Sequence, residues 1–359
     1  MRIALFDRIN ETHVCTSLEE ALRHRGHSVL STGPIWHGHR FAITGHDIEY
    51  TDAALDAVLA EGCDWLLNFR ASALTPAQVR RIRSTGVASA VWLPDDPVLY
   101  ATTYRHVVDG YDHVLNCGPA SVLQFYDGRG HRQGVNFPFW LDPYKWHADW
   151  SIARADKDLV FLGNALGKVR EGRYAAMAPA KRRIAVYGKC VEDPHEIHRG
   201  ELFGVEAMRA VLPGYAAGLN IPQRFADYAG TSYDFSGLAD LGEFFLPSRV
   251  TQYAALGLPV ISLGAEAVNP HFPHALRAGD IAAALRVVDR LRSDPALSAE
   301  VSADARKDVL QSFSAAARAH LLEALFSGEL DPRTMGLHER EYAYRNYRGS
   351  YVVGNQPHN

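Results

Sequence analysis

The stretch PSRVTQYAALGLPVI, residues 247–261, carries three local signals in one short run. Ser248 to Leu256 has helical character, Gly257 is the residue type that most readily leaves a helix, and Leu258 to Ser262 is an apolar run of strand length. A helix that stops on glycine and passes at once into a buried strand is the connection of an α/β domain. The N-terminus of such a helix presents unpaired N–H groups and the positive end of the peptide dipoles. Ser248 and Arg249 on its first turn therefore suit a diphosphate, and Gln252 and Tyr253 sit one turn further along. An ordinary helix-to-strand connection has the same pattern, and this segment alone leaves the two readings open.

Upstream, Asp158 to Gly163 is a strand running into a glycine loop, Arg182 to Tyr187 is a second strand ending at Gly188, and Ala216 to Asn220 is a third. Downstream, Asp280 to Leu291, Leu297 to Leu310 and Ser314 to Phe326 have amphipathic helical spacing. The loop from Phe161 to Lys168 has glycines near a lysine. It is too short between Gly163 and Gly167 for a Walker loop, and Val169 stands where such a loop needs Ser or Thr for magnesium. Lys168, Arg170 and Arg173 read equally as a phosphate-binding set or as the solvated face of a helix.

The first half repeats this grammar. Arg2 to Phe6 is a strand, Ser17 to Arg25 a helix stopped by Gly26, and Ser28 to Thr32 a second strand. Asp52 to Ala60 reads as a helix, Asp64 to Phe69 as a strand, and Thr75-Pro76 as an N-cap followed by proline at the first helical position. Gly86 to Trp92 and Tyr111 to Asn116 are further strands. Apolar strands alternating with helices predict parallel sheets covered on both faces. Residues 137–156 carry three tryptophans and two prolines with little periodicity, as an aromatic-packed connection would. The expected organisation is one α/β domain at residues 1–145, a second at 146–325, and a segment 326–359 that packs over a surface, with the first domain as one candidate.

A length of 359 residues exceeds what one core usually organises, and 47% hydrophobic with 22% charged residues is globular composition. Lys plus Arg total 37 against 41 Asp plus Glu, a formal charge of -4, so no overall field favours nucleic acid or anionic membrane. The apolar run at the N-terminus is broken by Asp7 and Arg8, and no segment approaches a membrane span, so a cytoplasmic location is expected. Cys15, Cys63, Cys117 and Cys190 are dispersed, and the paired histidines lack carboxylates at metalloenzyme spacing, so neither disulfides nor a metal site is expected.

Residues 247–261 resemble the donor-binding signature of GT-B glycosyltransferases, in which a Pro-x-[Lys/Arg]-x-x-Glu-Tyr helix precedes a Gly-x-Pro-Val-Ile strand. The spread of matches is most similar to the spore-maturation (CgeB-like) branch. Those matches are Leu74-Thr-Pro, Arg83, Gly86, Val91-Trp92 and Asp95-Asp96-Pro97 in the first half, and Val160 to Asn164, Leu219-Asn220 and Arg249 in the second. The resemblance implies two Rossmann-like doubly wound domains facing a cleft, with a nucleotide-sugar, guessed as UDP-linked, held by the second. It implies that Arg249 contacts the diphosphate and that Gln252, where the family usually has Glu, contacts the ribose through an amide that both donates and accepts. It also places Gly163, Asn164, Lys168 and Arg170 beside the phosphates, Tyr187 and Gly188 near the base, and Asn220 in the donor site.

The reaction so implied needs a base for an acceptor hydroxyl opposite a cationic site for the leaving diphosphate. His13, after the first strand, is the first candidate, because many inverting GT-B enzymes present a histidine there. Asp95 and Asp96 follow a strand at the edge where α/β sheets bind ligands, so either suits a base or an acceptor contact; the alternative is that Asp96 caps a helix. Glu243 stands nine residues before Gln252, one more than the paired-Glu pattern of many retaining enzymes, which favours inversion. No cofactor is expected beyond the nucleotide-sugar, and the acceptor is a small molecule, a glycan or a surface component. The alternatives are a nucleotide-sugar epimerase, a non-catalytic binding protein and a DNA-base glucosyltransferase of the same fold.

Overall fold

The computed structural model describes residues 1–6, 13–32, 45–69, 74–94, 100, 104–117, 126, 128–130, 134–164, 168–190, 193, 195–224, 247–263, 272 and 274–329. The chain forms two compact units, and among the described residues it passes from the first to the second at Trp140–Leu141 and returns at Ser314–Ala315. Among the described residues the first unit holds a six-stranded, all-parallel sheet of β1 (Arg2–Phe6), β2 (Ser28–Ser31), β3 (Trp65–Asn68), β4 (Ala88–Leu93), β5 (His113–Asn116) and β6 (Gly134–Asn136). Their order across the sheet is β2-β1-β3-β4-β5-β6.

Local sequence explains the elements. Thr75 caps the helix Pro76–Ser84 through a capping box in which its hydroxyl accepts from the Gln78 N–H and the Gln78 side chain accepts from the Thr75 N–H. The helix expected from Ser17 begins instead at His13, because Val14 and Cys15 join Leu18 and Leu22 in one buried stripe. The helix Ala315–Phe326 belongs to this unit. Glu323 pairs with Arg25 and, at 2.7 Å, with His27, and Phe326 stacks on Trp65 with ring centroids 3.8 Å apart.

Among the described residues the second unit holds a five-stranded parallel sheet of β7 (Lys157–Leu162), β8 (Ile184–Tyr187), β9 (Tyr215–Asn220), β10 (Val260–Ser262) and β11 (Leu276–Arg277), in the order β11-β10-β9-β7-β8. Successive residues of β7 enter opposite cores, Val160 and Leu162 with Tyr253 and Leu256, Leu159 and Phe161 with Val287 and Leu291. The aromatic connection divides between the units. Trp140 donates to the Val14 carbonyl in the first, whereas Trp146 is fully buried in the second and Trp150 donates to the Tyr215 carbonyl. The amino ends of β7 and β8 are tied by Arg183 and Arg292, which both pair with Asp158. Among the described residues no helix is long and apolar enough to cross a membrane.

Asp308 ends the helix Pro295–Asp308, just before a π-helical stretch Val309–Phe313, and its carboxylate is buried against the His274 imidazole at 2.8 Å. The hydrogen bond to Asp308 raises the His274 pKa despite partial burial. A raised folded-state pKa contributes stability that is complete below the unfolded value, about 6.5, and is lost as pH rises through the folded value. His274→Ala should therefore lower the melting temperature more at about pH 6 than at about pH 9. Equal losses at both values would show that charge plays no part.

Candidate functional site

The carboxyl ends of β7 and β9 carry the side chains with the most specific geometry. Asn220 closes β9 fully buried, and its amide N–H donates to the Ser262 hydroxyl at 3.0 Å, which fixes the direction of its carbonyl oxygen. That oxygen accepts from Arg249 Nε at 3.0 Å. The same guanidinium donates through Nη1 to the Leu162 carbonyl at 3.0 Å and through Nη2 to the Ile221 carbonyl at 3.3 Å. None of these three oxygens carries a formal charge. They set the guanidinium plane across the ends of two neighbouring strands, where parallel sheets bind ligands.

A second arginine reaches the same place. Arg173, on the helix Lys168–Met177, donates to the Ile221 carbonyl at 3.5 Å. Both guanidiniums lie over the buried Phe161 ring, Arg249 at 4.9 Å and Arg173 at 5.6 Å from its centroid. Two like charges gathered on one carbonyl and one ring repel each other, and an anion at this edge would relieve that repulsion.

Beside them, Gly163 leaves β7 with its N–H on the Tyr187 carbonyl and its carbonyl on the Tyr174 hydroxyl. A Cβ at Gly163 would stand 2.7 Å from the Phe161 ring and 3.5 Å from Arg249 Nη1, so a side chain would fill the approach to the guanidinium. Gly188 has φ +151°, and a Cβ there would stand 2.3 Å from the Gly163 carbonyl oxygen. The loops after β7 and β8 thus touch through backbone, and the Asn164 side-chain oxygen accepts from the Lys189 N–H at 2.8 Å.

The helix Ser248–Ala255 sets Arg249 in place. Its N-cap is Pro247, which offers no side-chain cap, and Ser248 is half-buried with its carbonyl accepting from the Thr251 hydroxyl. Gln252 is 8% exposed on the second turn. Tyr253 is fully buried: its hydroxyl accepts from the Leu162 N–H at 2.7 Å, burial keeps the phenol protonated, and its ring fills the space beside Gly218, where a Cβ would stand 2.3 Å from ring carbons. Tyr253→Phe should leave the buried Leu162 N–H without its partner and cost about 1–3 kcal/mol. Thermal unfolding reads this as a lower melting temperature, and an unchanged value would contradict the assignment.

Of the remaining candidates, Tyr187 turns its hydroxyl to that of Tyr215 at 3.1 Å and packs against the core face that holds Tyr253. Lys168 and Arg170 fall on the first turn of the helix Lys168–Met177 and His13 is the first residue of the helix His13–His24, but their side chains lie outside the described atoms. Asp95, Asp96 and Glu243 lie outside the described residues. Arg173 was legible only as one of several basic residues on a helix. The signal that singles it out is its place ten residues after Gly163, in the helix following the first strand of its unit. Among the described residues no group of three or more His, Cys, Asp or Glu is placed to hold a metal ion.

Residues 170–324 match a family model described as glycosyl transferase-like. No curated protein matches the chain. Among solved structures, the Anabaena protein HepE in complex with UDP is 10% identical, with a TM-score of 0.60 over 91% of this chain and 100% of that one. An alpha-glucosyltransferase in complex with UDP and a 13-mer DNA containing a HMU base is 13% identical, with a TM-score of 0.57 over 91% and 99%. A DNA-modifying beta-glucosyltransferase, described with and without uridine diphosphoglucose, is 12% identical, with a TM-score of 0.55 over 92% and 100%. The fold is that of GT-B glycosyltransferases.

Proposed function

We propose that this GT-B chain, with a glycosyl transferase-like segment over most of its second unit, transfers a sugar from a UDP-linked donor to an acceptor hydroxyl. The observation that carries this reading is the convergence of Arg249 and Arg173 on the Ile221 carbonyl and the Phe161 ring, at the carboxyl edge of the second sheet. The UDP named in two of the similar structures supports the choice of nucleotide. The motif matches quoted above support placement in the spore-maturation branch, and the absence of a membrane-spanning helix among the described residues is consistent with a cytoplasmic enzyme.

In the proposed reaction the acceptor oxygen bonds to the anomeric carbon as the bond from that carbon to the diphosphate oxygen breaks. The electron pair leaves on the diphosphate, where the two guanidiniums and the backbone around Gly163 and Asn164 stabilise the added charge. The hydroxyl proton passes to a base, for which His13 is the first choice and Asp95 or Asp96 the others, and the outcome is inversion. Lys168, Arg170 and Ser248 add phosphate contacts and Gln252 a ribose contact. The arginines supply the positive charge, so the reaction runs without a divalent metal or another cofactor.

The test is a panel of nucleoside diphosphate sugars with glycan, small-molecule and hydroxymethylated-DNA acceptors, in the presence of EDTA, read by mass spectrometry. The expected result is a sugar-bearing acceptor and free UDP. Dependence on added Mg²⁺ or Mn²⁺ would remove the metal-independent mechanism, and conversion of one UDP-sugar into another without acceptor would replace transfer with epimerisation.

A further inference from the structure

The loop that leaves β8 returns to it with a histidine outside the constellation above. Residues 197–200 run beside the outer edge of β8: the Val186 N–H donates to the Ile197 carbonyl, the Arg199 N–H to the Val186 carbonyl and the Gly188 N–H to the Gly200 carbonyl. This returning segment brings His198 Nε2 to 2.5 Å from the Gly188 carbonyl oxygen. A carbonyl only accepts, so Nε2 carries the hydrogen.

The peptide between Gly188 and Lys189 is therefore held at both ends, its carbonyl by His198 and its N–H by the Asn164 side chain. Its neighbour Gly163 stands beside Arg249. His198 is itself anchored, since the Asp193 carboxylate accepts from the His198 N–H at 2.8 Å and from the His195 N–H at 3.2 Å. Burial alone would raise the Asp193 carboxyl, but the backbone N–H groups of His198, Ile197 and His195 outweigh it and hold the group below its ordinary range. The Asp193 carboxylate thus fixes the backbone from which His198 projects, and the His198 ring in turn holds one peptide beside Gly163.

We infer that His198 is a positioning residue for the nucleoside end of the donor, fixing the Gly188–Lys189 peptide as the surface on which that end rests while the diphosphate lies at Arg249. The inference rests on the donor site proposed above. His198→Phe removes the donor and keeps an aromatic ring, whereas His198→Gln keeps an N–H of similar reach. The probes are UDP, uridine and inorganic pyrophosphate, titrated calorimetrically into the full-length protein, together with thermal unfolding and the kcat and KM for the donor.

His198→Phe is expected to weaken UDP and uridine by about tenfold or more, a loss of about 1.4 kcal/mol, and to raise the donor KM by a similar factor. Pyrophosphate affinity and kcat at saturating donor should change little, and His198→Gln should recover most of the loss. Unchanged UDP affinity in His198→Phe would overturn the inference. Equal losses of uridine, pyrophosphate and melting temperature without recovery by glutamine would also overturn it, because the role would then be structural. Failure of the parent protein to bind UDP at all is a separate outcome, read before any variant, and it would overturn the donor site and the inference with it.

Discussion

Replacing Arg249 by alanine is expected to lower the rate of sugar transfer by about two to three orders of magnitude, the usual loss when a group stabilising a developing oxyanion is removed. The guanidinium is set by three oxygens from the ends of β7 and β9, so the loss includes position as well as charge. Arg249→Lys keeps the charge but cannot span Asn220, Leu162 and Ile221 together, and it should recover only part of the rate. The alanine variant also takes a donor from each of those oxygens, leaving the Ile221 carbonyl with Arg173, so its melting temperature will fall. Comparing UDP with uridine separates the two effects: UDP affinity should fall steeply and uridine affinity little. Equal losses for both would mean that Arg249 serves only to hold the strand ends.

The second large effect is expected from Gly188→Ala. At φ +151° the backbone lies where glycine is almost alone, and holding another residue there costs about 1–3 kcal/mol before any clash. The added methyl would also meet the Gly163 carbonyl oxygen at 2.3 Å, a backbone atom that cannot swing aside. The loops after β7 and β8 must then separate, which breaks the Lys189 contact to Asn164 and shifts Gly163 away from Arg249. Donor affinity should fall by at least about tenfold, with a lower melting temperature. Normal UDP affinity in a folded Gly188→Ala protein would show that this loop contact is irrelevant to the ligand. A Gly26→Ala control, also at positive φ but with open space around it, should cost stability alone.

The strands read most plainly in the sequence carry an unbroken apolar run, such as Leu159 to Leu162 and Ala90 to Leu93, whereas Ser28–Ser31 and His113–Asn116 rest on a single apolar pair each. The strands β6 and β11 are not legible there. Three residues and two residues are too short for any periodicity, and neighbouring strands rather than composition define them. The first helix starts at His13, four residues before the expected Ser17, and the Ser17 hydroxyl bonds back to the Val14 carbonyl inside it.

At the site, Arg249 was named because it stands on the first turn of a helix, where N–H groups are unpaired, and Asn220 was named through the family resemblance. Arg173 looked like one charge among many, since its meaning depends on the fold bringing Phe161 and Ile221 beneath it. His198 had no local signal, as the register of residues 197–200 against β8 appears only once the loop has closed. Tyr253 shows the converse. Its place in the motif suggested ligand contact, and the structure shows the hydroxyl occupied by the Leu162 N–H.

The most direct measurement is a crystal structure of the protein with UDP. The pyrophosphoryl oxygens should lie within hydrogen-bonding distance of the Arg249 guanidinium and beside the backbone of Gly163 and Asn164. A well-ordered nucleotide bound elsewhere, with Arg249 still confined to Leu162, Asn220 and Ile221, would contradict the proposed donor site.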